Sequence, residues 1–569
     1  MGAIYISPIN EDIPESVFKI FRNKGFNLPP TELILDGKKI IVFPKQLIQV
    51  KNILHKQNCT LISIGTCFYK NLTYEEGLKQ ILLDLIDGDL NTSNLCGNYF
   101  LLFWNNKKLE FIIDPTCSQS IFFNPETQII SSSFLACIVG KKESLGKKNK
   151  INKSALIETF TTGGLIGPET IIEGIFRFES KLHECLPGIN KQKNRSSEIK
   201  PTENISQTFN EEVNNQLANL NLFFNDFSNV INEFGALSGI TGGFDSRLLL
   251  LTLNKNKLKV LPFINEKNLA SIQLKIANAL TQKIGLTLIH PKQKQKNVNT
   301  RDNFYFNDGL IRIYQIWTEE TKSREYVSKL YTSHKIGFSG IGGEQYRNSD
   351  YLLHTNYSLK KWIEGELIIK HSGNCFENNS EKEKIIEQIE KKLNNFFKFD
   401  CAGKISFSEI KKIQNEILNN SNRTLRNNIE NQLAFFISPF IENTISKTAY
   451  NSIPFLGRHH EFEKKMIEKT NKESSEIETD YGYKLKNKVP LKFTLIGILK
   501  SVLGLIAYNK LLFGQKNNSY ISAKNNDVKN KLHSLNLPVK LEMLKNNTLI
   551  APLIIETEFM LNEMNEFIE

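Results

Sequence analysis

The hydrophobic pattern of this chain is of one kind before residue 187 and of another after residue 209. In the first part, "NYFLLFWNNKKLEFIID" (98–114) consists of two apolar runs around the polar turn Asn105-Asn106-Lys107, the pattern of a β-hairpin. "QSIFFNPETQIISSS" (119–133) repeats it around Asn124-Pro125. "TYEEGLKQILLDLIDGD" (73–89) has helical spacing instead, with acidic residues in its first turn and a stop near Gly88. Stacked strands with helices beside them predict an α+β unit.

"PGINKQKNRSSEIKPTENISQTF" (187–209) is polar, contains prolines and lacks apolar periodicity, so it reads as a linker. The boundaries taken are a first domain over 1–190, a linker over 191–209 and a second domain over 210–569. In the second domain "EEVNNQLANLNLFFNDF" is helical, "FGALSGI" a short buried strand, "DSRLLLLTLNKN" a helix, "LKVLPFI" a strand and "SIQLKIANALTQKIG" a helix. Strands alternating with helices predict βαβ units in a doubly wound parallel sheet. Further on, "SEKEKIIEQIEKKLNNFF" (380–397) reads as a helix opened by a capping box, Ser380 with Glu383.

Composition narrows the class. With 569 residues, 40% of them apolar and 23% charged, the chain fits a globular protein of at least two domains. Its formal charge of +12 could mark an anionic partner, but lysines are spread throughout, so general Lys-rich composition is the simpler cause and no nucleic-acid partner is expected. The eight cysteines show no CxxC spacing, which argues against a zinc site and a disulfide scaffold. The N-terminal segment lacks the basic and apolar regions of an export signal, so a cytoplasmic protein is expected. "FTLIGILKSVLGLIAY" (493–508), flanked by Lys484, Lys486, Lys488, Lys492 and Lys510, falls short of the roughly 20 apolar residues of a spanning helix. It is either a packing helix, the commoner case, or a peripheral membrane contact with a basic flank.

The candidate chemistry lies in "GALSGITGGFDSRLLL" (235–250). A Gly-Gly pair between a strand and a helix is ordinarily just a turn. Here Gly242 and Gly243 would let backbone N–H groups approach a phosphate at the positive end of the following helix. Ser238, Thr241 and Ser246 would add hydroxyls, and Asp245 is a carboxylate able to hold a Mg²⁺ bridging phosphate oxygens. The Walker pattern is absent.

TGGFDSR resembles the SGGxDS pyrophosphate loop of the ATP-pyrophosphatase superfamily, in the GGxDSR form of its asparagine-synthetase-like branch. "GFSGIGGEQYRNSDY" (337–351) is similar to that branch's SGxGxDE segment, with Gly340, Gly342 and Gly343 matching and Glu344 where the family has its second magnesium-binding Asp. "ISPFIEN" (437–443) resembles its PFLD segment, with Glu442 for Asp. "CGNYFLLFWNNKKLEFIIDPTCSQSIFFN", "SSSFLACI" and "ECLPG" resemble strands and the closing segment of a class II glutamine amidotransferase domain. The resemblance covers most of residues 60–455. It implies an N-terminal α+β amidotransferase-like domain of Ntn type, and a C-terminal α/β ATP-pyrophosphatase domain with extra helices that uses ATP and Mg²⁺.

Two departures bear on the reaction. The family's glutaminase nucleophile is a Cys at position 2, whereas this chain has Gly2, and the family's Asn-Gly-Glu segment is missing; glutamine hydrolysis is not expected. The cysteines are read as small buried residues. Ile341 stands where relatives carry a Glu or Tyr that assists amine attack, and an alkyl side chain accepts no proton. The resemblance then implies an AMP-forming synthetase that joins a substrate carboxylate to a substrate amine, as lasso-peptide macrolactam cyclases and β-lactam or carbapenam synthetases do. A precursor peptide is one candidate substrate. Asparagine synthesis from free ammonia and a non-catalytic ATP-binding relative are the alternatives. In such relatives a C-terminal Lys neutralises charge at the reacting centre; Lys484 and Lys488 are the candidates taken, although a solvated basic face explains any single Lys as well. Arg347 and Arg423 could reach phosphates, though isolated arginines are usually surface residues.

Overall fold

A computed structural model of the chain describes residues 2–178, 208–266, 268, 270–291, 299–310, 323–373, 375–397, 403–416, 424–457, 459–513, 531–541, 544 and 550–569. The first half contains β1 (Ala3–Pro8), α1 (Glu15–Asn23), β2 (Thr31–Leu35), β3 (Lys38–Phe43), β4 (Ile53–Lys56), β5 (Cys59–Gly65), α2 (Tyr74–Asp87), β6 (Tyr99–Trp104), β7 (Leu109–Ile113), β8 (Phe122–Asn124), β9 (Ile129–Ser131), α3 (Phe134–Leu145) and β10 (Phe176–Arg177). They form two antiparallel sheets, β10-β8-β9-β1-β3-β2 and β4-β5-β6-β7. The central strands β1, β5 and β6 are mostly apolar on both faces because both faces are covered, whereas the edge strands β2 and β4 are partly exposed. Ile4, Ile6, Ile40 and Val42 of one sheet face Ile62, Ile64, Phe100 and Leu102 of the other in one dry cluster. The alternate residues Tyr5, Ile41 and Phe43 turn outward to α1, where Phe21 stacks on Phe43 with ring centroids 4.0 Å apart. Each such buried side chain contributes about 2 kcal/mol. Both expected hairpins are present, 98–114 as β6-β7 and 119–133 as β8-β9. Helix α2 carries a capping box between Thr73 and Glu76 and ends at Gly88 with φ of +79°.

The second half begins with α4 (Phe209–Asp226), capped by Thr208 and Glu211. Then come β11 (Ala236–Gly239), α5 (Phe244–Lys255), β12 (Val260–Phe263), α6 (Ile272–Lys283), β13 (Ile336–Phe338), α7 (Asn379–Phe397), β14 (Phe435–Ile437), α8 (Glu461–Thr470), α9 (Leu491–Leu503) and α10 (Leu505–Phe513). The strands make a parallel sheet in the order β12-β11-β13-β14. The protein is therefore mixed α/β, with an antiparallel region and a parallel sheet. The chain steps from β11 to one side for β12 and returns across to the other side for β13, so the winding reverses at β11. In open parallel sheets such a reversal leaves a crevice beyond the carboxyl ends of the flanking strands. Helix α7 corrects one detail: it starts at Asn379, and its cap is Asn378, whose Oδ1 accepts the Glu381 N–H at 2.9 Å. Ser380 thus sits inside the first turn, where its hydroxyl cannot act as the cap.

The halves meet along a buried polar seam. Lys45 Nζ donates to the carbonyls of Asn431 and Ala434 at 2.5 and 2.7 Å and lies 5.2 Å from the centre of the Phe435 ring. Thr66 Oγ1 donates to Asn431 Oδ1 at 2.6 Å, and Asn431 Nδ2 donates to Gln119 Oε1 at 3.3 Å. Glu442 accepts the Gly97 N–H at 3.1 and 3.2 Å on its two oxygens. Of the expected linker, 191–207 falls outside the described residues, as do Cys185, Cys401, Arg423 and the "ECLPG" segment (184–188).

Candidate functional site

Strand β11 ends at Gly239 and helix α5 starts at Phe244, so Thr241, Gly242 and Gly243 form the turn between them at the crevice. The turn is latched by hydroxyls. Thr241 N–H donates to Ser246 Oγ at 3.1 Å, the two hydroxyl oxygens are 3.0 Å apart, and Gly243 N–H donates to Thr241 Oγ1 at 3.3 Å. Thr241 is exposed. Ser238, by contrast, is completely buried within β11.

Gly340, Gly342 and Gly343 follow β13, the neighbouring strand, and bring the second loop onto the first. A Cβ on Gly340 would lie 3.0 Å from Ser246 N and 3.1 Å from Asp245 C; one on Gly343 would lie 2.7 Å from both Cβ and Cγ of Asp245. Gly342 has φ of +94°, a left-handed conformation that glycine adopts at no steric cost, and packs against Phe440 and Ile441 of the third motif. A third segment, Thr479 to Tyr483, closes over the turn: Asp480 N–H donates to Gly242 O at 3.1 Å, and a Cβ on Gly242 would come within 2.9 Å of Asp480 Cβ. The glycines are needed because three backbones converge here.

Asp245 and Glu344 are close enough to repel one another electrostatically. Asp245, about a fifth exposed, is held by a bidentate fork: Arg347 Nη1 to Oδ1 at 2.7 Å and Nη2 to Oδ2 at 2.9 Å. Nη1 also donates to Glu463 Oε2 at 2.9 Å, and Glu463 is fully buried. Two carboxylates share one guanidinium in a site largely closed to water. Burial pushes Asp245 above the usual carboxylate range and pushes Glu463 well above it, while Arg347 opposes both shifts and Asp245 adds to that on Glu463. Arg347 is held protonated well above its ordinary value, because Asp245, Glu463 and Glu344 together outweigh the opposing pull of burial. Glu344 Oε2 accepts the Gly342 N–H at 3.2 Å.

Several residues here escaped the sequence reading. Arg347, named from the sequence as able to reach phosphates although isolated arginines are usually at the surface, is the buried charge at the centre, and Glu463 carried no signal at all. Arg247 is completely buried; it donates to the carbonyls of Ile477 and Glu478 at 3.2 and 2.8 Å, which tethers the closing segment. An aromatic wall stands beside the acid cluster. His460 lies 5.0 Å from Phe244, 4.6 Å from Tyr481 and 5.7 Å from Phe493 between ring centroids. Burial, with Arg347 and His459 nearby, pushes His460 down to about 3, so it stays neutral beside Arg347. Lys484 and Lys488 are both exposed, and the packed cluster does not include them. Ile341 is half-buried, with its N–H bonded to Ser339 Oγ at 3.2 Å.

Could a divalent cation fit? Among the described residues no group of three or more His, Cys, Asp or Glu side chains forms a self-sufficient metal site. Two carboxylates at a phosphate-sized turn suit Mg²⁺, which takes one or two protein carboxylates and completes its shell with phosphate oxygens and water. Each Asp245 oxygen accepts one N–H from the fork, and the Glu463 side chain is also hydrogen-bonded to Asp245, so a cation would share this carboxylate with both. The donor set fits.

In the first half, Gly2 is packed shut. A Cβ there would meet Phe26 Cε1 at 2.5 Å and the carbonyls of Gln432 and Pro44 at 3.1 Å. Among the described residues no cysteine is in a disulfide; Cys67, Cys96, Cys117, Cys137 and Cys375 are buried, and Cys59 is half-buried. No protein-family model matches the chain, and comparison with curated proteins gives no match.

Proposed function

We propose that the chain is an ATP-dependent carbon–nitrogen ligase of asparagine-synthetase-like type, built from a degenerate amidotransferase-like half and an ATP-pyrophosphatase half. One observation carries the reading: the Thr241–Ser246 turn and the Gly340–Glu344 loop meet at the carboxyl ends of adjacent parallel strands, where the winding reverses. Backbone amides of Gly242 and Gly243 and the hydroxyls of Thr241 and Ser246 would take the pyrophosphate part of ATP. Asp245 and Glu344 would hold Mg²⁺, which when bound offsets the charge that develops on the phosphates.

The reaction balances without glutamine. An oxygen of a substrate carboxylate attacks the α-phosphorus of ATP, and the α–β bridging oxygen leaves with pyrophosphate. A substrate amine then attacks the acyl carbon, the amide forms, AMP departs with the acyl–phosphate oxygen, and the proton shed by the amine passes to solvent. Arg347, positioned by Glu463, orients the Asp245 carboxylate toward the turn. Ile341 offers no proton acceptor to either kind of amine; the Gly2 position, with no thiol to release ammonia from glutamine, is what favours an amine supplied by the substrate, as in peptide macrolactam formation.

A second reading, a nucleotide-binding relative without turnover, is favoured by the same fork: Arg347 already neutralises one of the two carboxylates that a cation would need. Pyrophosphate release separates the two. The full chain, given MgATP and a panel of amino acids, sugar acids and short peptides, should release pyrophosphate with at least one carboxylate, and hydroxylamine should trap the adenylate as a hydroxamate. Asp245→Ala should lose at least about a hundredfold of that release, the scale of one transition-state charge contact. ATP binding by calorimetry with no release across the panel and none with aspartate plus ammonium would leave the non-catalytic reading.

A further inference from the structure

Helices α9 and α10 meet at Gly504 and bend by 120°. One side of this hairpin is fastened to the protein by buried polar contacts. Lys500 Nζ donates to Glu366 Oε1 at 2.8 Å and to the Asp350 carbonyl at 2.9 Å, and Asn509 Nδ2 donates to the Gly365 carbonyl at 2.9 Å. The lysine within the apolar run therefore points inward. The opposite side is bare hydrocarbon: Leu491, Leu495, Leu499 and Val502 follow one helical stripe, 78%, 57%, 48% and 76% exposed, and Leu511 on α10 is 73% exposed. Scattered exposed leucines are ordinary, but a contiguous stripe of this kind marks a contact surface.

Charge identifies what the stripe contacts. Residues 481–513 hold six lysines and no Asp or Glu. Five of the six, Lys484, Lys486, Lys488, Lys492 and Lys510, are exposed; Lys486 lies 3.5 Å from Glu476, and Lys500 is buried against Glu366. Exposed apolar side chains framed by exposed lysines, with no acid among them, match the boundary between acyl chains and anionic headgroups. No single described helix is long and apolar enough to cross a membrane; α9 and α10 together have the length and composition of a bent span, but Lys500 and Asn509 bind their inner side to Glu366, Asp350 and Gly365, which leaves one face for lipid and places the hairpin in the interface.

We propose that the α9–α10 hairpin seats the protein on an anionic lipid surface, with the Leu491–Val502 stripe in the acyl boundary and the lysines at the phosphates. This inference stands independently of the ligase reading. It has a consequence for the site: Phe493, at the start of α9, stacks on Tyr351 at 5.8 Å and touches His460, so the docked face adjoins the acid cluster.

Co-sedimentation of the full chain with phosphatidylglycerol-containing vesicles, against pure phosphatidylcholine vesicles, tests it. Partitioning should be at least about tenfold stronger on the anionic vesicles and should fall sharply in high salt. The pair Val502→Asp and Leu511→Asp should remove at least about tenfold of the binding with an unchanged circular-dichroism melt, because both side chains are mostly exposed. Lack of binding to anionic vesicles overturns the proposal, as does equal binding by the double variant. A dimer in light scattering that Val502→Asp dissolves, with no vesicle binding, would assign the stripe to a second copy and overturn it equally.

Discussion

Glu442→Gln isolates one partly buried acid at the seam between the halves. Burial is the main cause that pushes Glu442 up to about 8 from an ordinary 4.5; Asp114 adds to the rise and the Gly97 N–H opposes it. The folded value is above the unfolded one, so the stability Glu442 contributes is fully present below pH 4.5 and is lost as pH rises through 8. Between those limits the unfolded chain sheds a proton that the folded chain retains, which favours unfolding by about 1.4 kcal/mol per pH unit. At pH 7 that amounts to about 3 kcal/mol, and above pH 8 the loss levels off. Glutamine keeps a carbonyl oxygen for the Gly97 N–H and never ionises. The variant should therefore match the wild type near pH 4 and exceed it by about 3 kcal/mol at pH 7, roughly 3 °C in the melting midpoint for a chain of this size melting as one unit. Paired thermal melts at pH 4.5, 7 and 8.5 measure the difference, and pairing removes the contributions of every other titrating group. A Gln variant that gains nothing between pH 4.5 and 8.5, or that loses stability, would refute the reasoning.

Arg347→Met leaves Asp245 and Glu463 without their shared partner and should destabilise the protein by about 3–5 kcal/mol in chemical denaturation; adding Asp245→Asn and Glu463→Gln should recover part of the loss, a non-additivity that independent sites would not show. Gly343→Ala forces a methyl against the Asp245 side chain and should cost about 1–3 kcal/mol, with a larger proportional loss in ATP-dependent pyrophosphate release than in ATP affinity. Gly2→Cys should not confer glutamine hydrolysis, measured as ammonia release, because the added Cβ meets Phe26 and two carbonyls, and it should lower the melting temperature.

What the sequence revealed was local. The 73–89 helix has its cap, its acidic first turn and its terminal glycine within one short stretch, and the two hairpins carry their turns between their strands. The two glycine loops were legible for the same reason: each motif is contiguous, and parallel strands bring motifs at their carboxyl ends together. The Arg347 fork was not legible, since its partners lie 102 and 116 residues away and only the folded sheet sets their distance. Position 2 was readable as a missing nucleophile, yet the packing that closes it comes from Phe26, Pro44 and Gln432. The 493–508 run reads as a packing helix or an interfacial one with equal chemistry. Which face turns outward depends on Glu366, more than a hundred residues upstream, which draws Lys500 inward.

The first half has a mechanical duty in this architecture. Strand β14 is an edge of the parallel sheet, and an uncovered edge presents unpaired backbone groups to any other strand. Here the Phe436 N–H of that edge donates to Thr66 Oγ1 and to Asn431 Oδ1 at 3.0 and 3.1 Å, so a side chain of the first half covers it. The turn after β14 is then gripped from both sides. Gly97 holds Glu442 from the first half, while Gln345 Nε2 donates to the Phe440 carbonyl at 2.8 Å from the loop that carries Glu344. The first half thus fixes the backbone on which the second glycine loop rests. That loop must hold Glu344 beside Asp245, because a shift of about 1 Å at such a site is enough to cost much of its function.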